Sequence, residues 1–278
     1  MPTTSVTSML GVSSRHLAGT LKIGVNECTC TAQIVSRADA SMQPQFGDAV
    51  SATVRAVLLW FAVYVGGSIA ATVAIVITGH SGDTIQNIPV WVLAVNMMFM
   101  WSVYVGVLPR LLPFEDKHPV HTFRQWFSAR DVIIGIPLGI FGQLVLVNLV
   151  NWPLSQFFPD TFSFDEVSQR AKDIAATAPG AWMIVLVLVV VIGAPIVEEI
   201  VYRGCLQSHM VSSAGETVGL ILTAGIFAAI HLSPVEFPGL FVFALLLGYA
   251  RQKTGTLGLP IVIHFAFNAT GLLLVSLI

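Results

Sequence analysis

Charge is what this sequence has least of: 13 Lys and Arg with 15 Asp and Glu make up only 10% of its 278 residues. A soluble globular domain carries about 25% charged residues. The shortage excludes a soluble enzyme, a charge-rich disordered chain and a nucleic-acid binder with a basic surface. Cysteine is scarce too. Cys28, Cys30 and Cys205 are too few for a disulfide framework, and Cys28-Thr29-Cys30 is one residue too tight for a C-x-x-C knuckle. They read as free thiols. The first fifty residues lack any apolar run of signal-peptide length. A transit peptide fits their few acids poorly, given Glu27, Asp39 and Asp48, and a polar, partly disordered cytoplasmic arm over 1–50 is the simpler expectation.

What the chain has instead is apolar sequence, 55% of its residues with a mean hydropathy of +0.81. Runs near the roughly 20 residues needed to cross a hydrocarbon core of about 30 Å recur at 54–78, 88–108, 132–150, 181–197, 218–232, 239–250 and 257–278. The expected fold is an all-α, polytopic transmembrane helix bundle of about seven helices (six to eight), forming one domain over 51–278. Its first partner is the lipid bilayer.

Loop charges orient the bundle. Arg15, Lys22, Arg37 and Arg55, then Arg110, Lys117, Arg124 and Arg130, then Arg251 and Lys253 all fall on one side. Arg170 and Lys172 fall on the other, among Asp160, Asp165, Glu166 and Asp173. The positive-inside rule puts the N-terminus in the cytoplasm and the C-terminus outside. The short loops suit a bacterial cytoplasmic membrane.

Ionisable side chains inside such helices are expensive, about 2.5–3.5 kcal/mol at the bilayer centre on insertion scales. Three clusters stand out. Glu198-Glu199-Ile200-Val201-Tyr202-Arg203 follows an uncharged run. On a helix Glu199 and Arg203 share a face and can pair, leaving Glu198 about 100° away. That division suits one structural carboxylate and one general base. His231 ends an apolar helix after Phe227, four residues earlier. His264 and Asn268 share a face on the last helix. A histidine can ligate a metal, donate to an oxyanion or move a proton, and an asparagine can donate to an oxyanion.

Spacing lets the first two clusters meet. With a turn at Ser212-Ser213-Ala214-Gly215, Glu198 and His231 each lie about 24–26 Å from it, level in an antiparallel hairpin. His264 lies about 10 Å into its helix by the same rise. The hairpin would project on the cytoplasmic side, and 232–238 would be irregular chain buried in protein, as membrane depth requires. Each cluster also has a plainer reading. Glu199 with Arg203 can be a helix-end ion pair, His231 an interfacial histidine, and His264 with Asn268 interhelical hydrogen-bonding. Asn96, Gln143 and Asn148 belong with that last group, His209 and Glu236 with the interface, and Cys205 with packing.

The ordered set E-E-x-x-x-R, F-x-x-x-H and H-x-x-x-N resembles the CPBP intramembrane proteases, which include the type II CAAX prenyl endopeptidases. Here the set is Glu198, Glu199 and Arg203, then Phe227 and His231, then His264 and Asn268. Gly248-Tyr249-Ala250-Arg251-Gln252-Lys253-Thr254-Gly255 is similar to the family's linker. The resemblance is strong over 181–271, weaker over 51–180 and absent before that. It implies an intramembrane endopeptidase open to the cytoplasm, cutting a membrane-anchored peptide or protein, prenylated or not. On that resemblance Glu198 activates water and His231 assists. His264 and Asn268 stabilise the oxyanion, while Glu199, Arg203 and Phe227 hold the site. Two His and one Glu match a catalytic zinc set, with His231 and His264 as ligands. No H-E-x-x-H is present, so zinc and a metal-free, glutamate-activated water both stay open. The family is commonly labelled metallopeptidase. Two other classes compete: a non-catalytic scaffold or bacteriocin-immunity protein that keeps the fold, and a transporter, whose inverted repeats the sequence does not show.

Overall fold

A computed structural model describes residues 46–84, 87–114 and 127–277. Most of the expected N-terminal arm, with Cys28 and Cys30, lies outside the described residues, as do Lys117 and Arg124. The described chain is helical, without strands: α1 (Phe46–Ile77), α2 (Val90–Leu111), α3 (Ala129–Phe157), α4 (Phe164–Ala176), α5 (Gly180–Ala214), α6 (Glu216–Ala229), α7 (Phe237–Thr254) and α8 (Gly258–Ser276). Five of these, α1, α2, α3, α5 and α8, are long and apolar enough to cross a membrane. The α1 row Leu58, Phe61, Val65, Ile69 and Val76 is exposed. Apolar side chains on an outer face suit lipid rather than water. These features fit an integral, multi-pass membrane protein.

The seven expected spans each correspond to a helix, and α6, at 14 residues, is the short one. The eighth helix, α4, was expected as charged loop. It is amphipathic, and Ser163 caps it by accepting a 3.2 Å hydrogen bond from the Glu166 amide. Its apolar residues Val167, Ala171 and Ile174 repeat at helical spacing, which its many charges obscured.

Local chemistry shapes the long helices. Ser128 and Asp131 form a reciprocal capping box at the start of α3, satisfying two amides that the first turn leaves without partners. Gly139 lets α3 pack closely on α8, because a Cβ there would run into the Ile263 carbonyl and Ala266. Immediately beyond, Gly142–Leu146 is wound as a π-helix. Helix α5 is 35 residues long and contains two π stretches, Val187–Gly193 and Glu199–Leu206, on either side of Pro195. Proline supplies no amide to an earlier carbonyl, and widened turns are a common way for a helix to absorb such a defect. At about 1.5 Å per residue α5 measures about 50 Å, longer than a hydrocarbon core.

Helix α5 runs to Ala214, into the turn expected at 212–215, and turns on Gly215 alone. The φ of +86° there is one that glycine adopts without a Cβ clash. Helix α6 returns along α5 and ends at Ala229, and residues 230–236 form the connection to α7. The expectation of buried irregular chain at 232–238 is corrected here. Leu232 is 81% exposed, and α7 already begins at Phe237. The loop is therefore not buried in protein at Leu232.

Two of the three apolar clusters among the described residues lie around the motif residues. One joins Trp60, Tyr104, Tyr202, Leu206, Phe227 and Ala244. The other joins Phe243, Leu247, Ile263 and Phe267. Cys205 packs in the first, as expected. Asn96 is interhelical, donating to the Ala71 carbonyl at 3.0 Å, whereas Asn148 bonds within its own helix, to the Leu144 carbonyl. A cavity of about 620 Å³ between α3, α4 and α8 is lined by apolar residues and by Gln143, Asn148, Asn151, Ser155, Ser163 and Ser168, with no titratable side chain. It lies apart from all three motif clusters.

Candidate active site

The pairing expected within the first motif is present. Arg203 donates a 3.0 Å hydrogen bond from Nη1 to Oε1 of Glu199, with side-chain exposures of 1% and 0%. The second guanidinium nitrogen reaches the Ala244 carbonyl of α7 at 3.2 Å, and the group lies 4.5 Å over the Phe227 ring of α6. A buried charge persists only when paired and hydrogen-bonded, and this arginine is held from three helices.

Glu199 does more than hold Arg203. Its Oε1 also accepts a 2.8 Å hydrogen bond from Nδ1 of His264, on α8. A carboxylate only accepts, so the Nδ1 proton of His264 is committed to Glu199. The other ring nitrogen, Nε2, faces Oε2 of Glu198 at 3.8 Å. Neighbouring glutamates therefore differ in kind: Glu199 is sealed, while the Glu198 side chain is 23% exposed. The sequence separated them by their relation to Arg203. It carried no sign of the bond between Glu199 and His264, which depends on α8 lying beside α5.

His231 follows α6 at its C-terminal end. Its Nδ1 lies 2.8 Å from the Phe227 carbonyl. A carbonyl only accepts, so this nitrogen carries the proton and Nε2 is a bare acceptor. The Phe227 ring packs 5.1 Å from the His231 ring and 5.9 Å from the His264 ring. Tyr202 meets Phe227 edge-on at 5.2 Å, and Phe243 meets His264 edge-on at 5.5 Å. The first two motifs and His264 thus converge around one phenylalanine. Asn268 stands one turn further along α8. It donates from Nδ2 to the Val190 carbonyl at 2.8 Å, tying α8 to the first π stretch of α5.

The donor types would suit zinc, but their arrangement does not. Among the described residues no three His, Cys, Asp or Glu side chains come together to hold a metal ion. His231 and His264, expected as ligands only if zinc is used, both pack on the Phe227 ring, and Nδ1 of His264 is bonded to Glu199.

Residues unmarked in the sequence complete the site. Phe243 was one aromatic in an apolar run, and Ala244 acts through its backbone. Arg170 of α4 donates to the His231 carbonyl at 2.7 Å and pairs with Glu236 at 3.2 Å. Glu236, expected as merely interfacial, is therefore tied to the loop after His231.

Residues 180–270 match the family model described as type II CAAX prenyl endopeptidase Rce1-like. The match runs through α5, α6, α7 and most of α8, and includes every residue of the three motifs. No curated protein and no solved structure matches the chain.

Proposed function

We propose that the chain is an intramembrane endopeptidase that hydrolyses a peptide bond of a membrane-associated peptide or protein, with a C-terminally prenylated, CAAX-type peptide as the first candidate substrate. One observation carries this reading. An accessible carboxylate, Glu198, sits 3.8 Å from an imidazole nitrogen whose ring is fixed from behind by a sealed carboxylate, Glu199. A structural ion pair has no need of that asymmetry. The match over residues 180–270 supports the same class of activity.

In the mechanism, Glu198 is the general base. It takes a proton from water as the water oxygen attacks the scissile carbonyl. His231, with Nε2 as acceptor, holds the second hydrogen of that water and orients it. The oxyanion of the tetrahedral intermediate is met by Nε2–H of His264 in its imidazolium form, flanked by both glutamates, and by the second amide hydrogen of Asn268. Collapse breaks the carbon–nitrogen bond, and Glu198 returns its proton to the leaving amine. Preorganised donors of this kind supply roughly 3–4 kcal/mol each when removed singly. Glu199, Arg203 and Phe227 keep the two imidazoles in place. No step is routed through a metal.

The domain is 51–278, with its catalytic core over 181–271. The N-terminus is cytoplasmic. The test is cleavage by purified protein in detergent or liposomes, using fluorogenic prenylcysteine peptides and a pool of membrane proteins. Wild type cleaves and Glu198→Ala does not. Equal cleavage by both, or none by either, refutes the protease reading and favours a non-catalytic scaffold.

A further inference from the structure

Helix α4 lies outside the matched residues 180–270 and carries none of the three motifs, yet one of its side chains touches the backbone of a motif histidine. Arg170 donates from Nη1 to the His231 carbonyl at 2.7 Å, and the same nitrogen lies 3.2 Å from Oε2 of Glu236. These two acceptors stand at the two ends of the loop between α6 and α7. The loop needs holding. Among the described residues Leu232 is the only non-glycine with positive φ, at +52°, and it is 81% exposed. A side chain with a Cβ disfavours that conformation, and such a residue persists only where its surroundings impose the geometry. Packing on the Leu232 side chain does not impose it, because that side chain is exposed.

We propose that Arg170 is a positioning residue for His231: by bridging the His231 carbonyl to Glu236, it fixes the loop and with it the imidazole that orients the water. The proposal rests on the endopeptidase reading for its kinetic consequence but not for its structural one. The His231 carbonyl lies just past the C-terminal end of α6, where backbone carbonyls lack helical amide partners, and an arginine near a helix C-terminus satisfies them. Helix α4 is itself anchored, capped by Ser163 and packed along α8, so it can serve as a fixed post. The pair is partly exposed, 45% at Arg170 and 21% at Glu236. Exposed pairs add little to global stability. What the bridge governs is the placement of one ring.

The experiment compares wild type, Arg170→Ala, Arg170→Lys and Glu236→Ala in the same detergent, with two readouts. The first is initial rate against concentration of a peptide that the wild type cleaves. Misplacing a catalytic group by about 1 Å costs on the order of 100-fold, so Arg170→Ala is expected to lose about 10- to 100-fold in kcat with KM within about twofold. Arg170→Lys, a single point donor, recovers part of the loss. Glu236→Ala keeps the carbonyl contact and loses less than Arg170→Ala. The second readout is backbone hydrogen exchange, which is expected to quicken at 230–236 in Arg170→Ala and to stay unchanged in α5. Wild-type kcat in Arg170→Ala, a loss confined to KM, or unchanged exchange at 230–236 overturns the proposal. Should Arg170→Ala fail to fold, the same comparison is made with Arg170→Lys and Glu236→Ala. If the wild type cleaves nothing, the endopeptidase reading fails, and the exchange readout alone decides the bridge.

Discussion

Glu199 and His264 stand 65 positions apart in the chain and meet through a 2.8 Å hydrogen bond in the protein interior. The bond gives the two adjacent glutamates separate work. One carboxylate holds a cation and orients a ring, while its neighbour stays available to a reacting water.

The two glutamates are therefore expected to fail differently when neutralised. Glu198→Gln abolishes cleavage, by about 100- to 10,000-fold for a lost general base, and leaves the thermal unfolding midpoint near wild type. Glu199→Gln strands Arg203 and is expected to destabilise by about 3–5 kcal/mol, as when one partner of a buried pair is lost. Thermal unfolding in detergent beside a cleavage assay checks both.

Arg203→Lys keeps the charge and is nonetheless expected to destabilise the protein. A lysine ammonium is a compact point charge and lacks the planar fork that spans the Glu199 carboxylate and the Ala244 carbonyl. The expected loss is about 2–3 kcal/mol, within the range for hydrogen bonds to charged groups. The unfolding midpoint measures it.

Metal removal tests the chemistry directly. With Glu198 as base and no step through a metal, cleavage is expected to survive a zinc chelator at a concentration that silences a known zinc peptidase. Loss of activity that added zinc restores would overturn the metal-free mechanism.

Close packing of α3 on α8 sets the position of His264, so crowding that contact is expected to disturb the site from a distance. Gly139→Leu pushes side-chain atoms into Ile263 and Ala266. Overpacking of this kind costs about 1–3 kcal/mol. Both the unfolding midpoint and the cleavage rate are expected to fall.

Orientation is open to a labelling test. In a cysteine-free background, Ser81→Cys in the loop between α1 and α2 is expected to react from outside intact cells with an impermeant thiol reagent. Ser212→Cys, near the α5–α6 turn, is expected to react only after the cells are opened. The opposite pattern reverses the topology.

Much of this arrangement was legible from residue type and spacing. Runs of crossing length marked the spans, and four-residue spacing separated Glu199 from Glu198 through Arg203. The hairpin count brought His231 level with the glutamates, and the Phe227 ring contacts place the two histidines in one cluster. What stayed hidden depended on tertiary packing or on backbone atoms. The Glu199–His264 bond needs α5 and α8 side by side. Asn268 and Arg203 find carbonyl partners, Val190 and Ala244, whose side chains signal nothing. Phe243 was one aromatic among many apolar residues. Arg170 sat in a stretch whose charges read as loop, although Ser163 and Glu166 had the spacing of a helix start.

The π winding of α5 has a consequence for how this helix is compared with others. A turn closed from residue i to i+5 holds one residue more than an α turn. A relative whose corresponding helix is wound as plain α would therefore align with this one only by opening a one-residue gap within each of Val187–Gly193 and Glu199–Leu206. A gap-free alignment would carry the offset onward, and every residue past that point would be paired with the wrong neighbour, on a face about 100° away. The same arithmetic makes single-residue deletions in these two stretches a different experiment from substitutions. Each would turn one half of the helix against the other and separate groups whose chemistry is left intact.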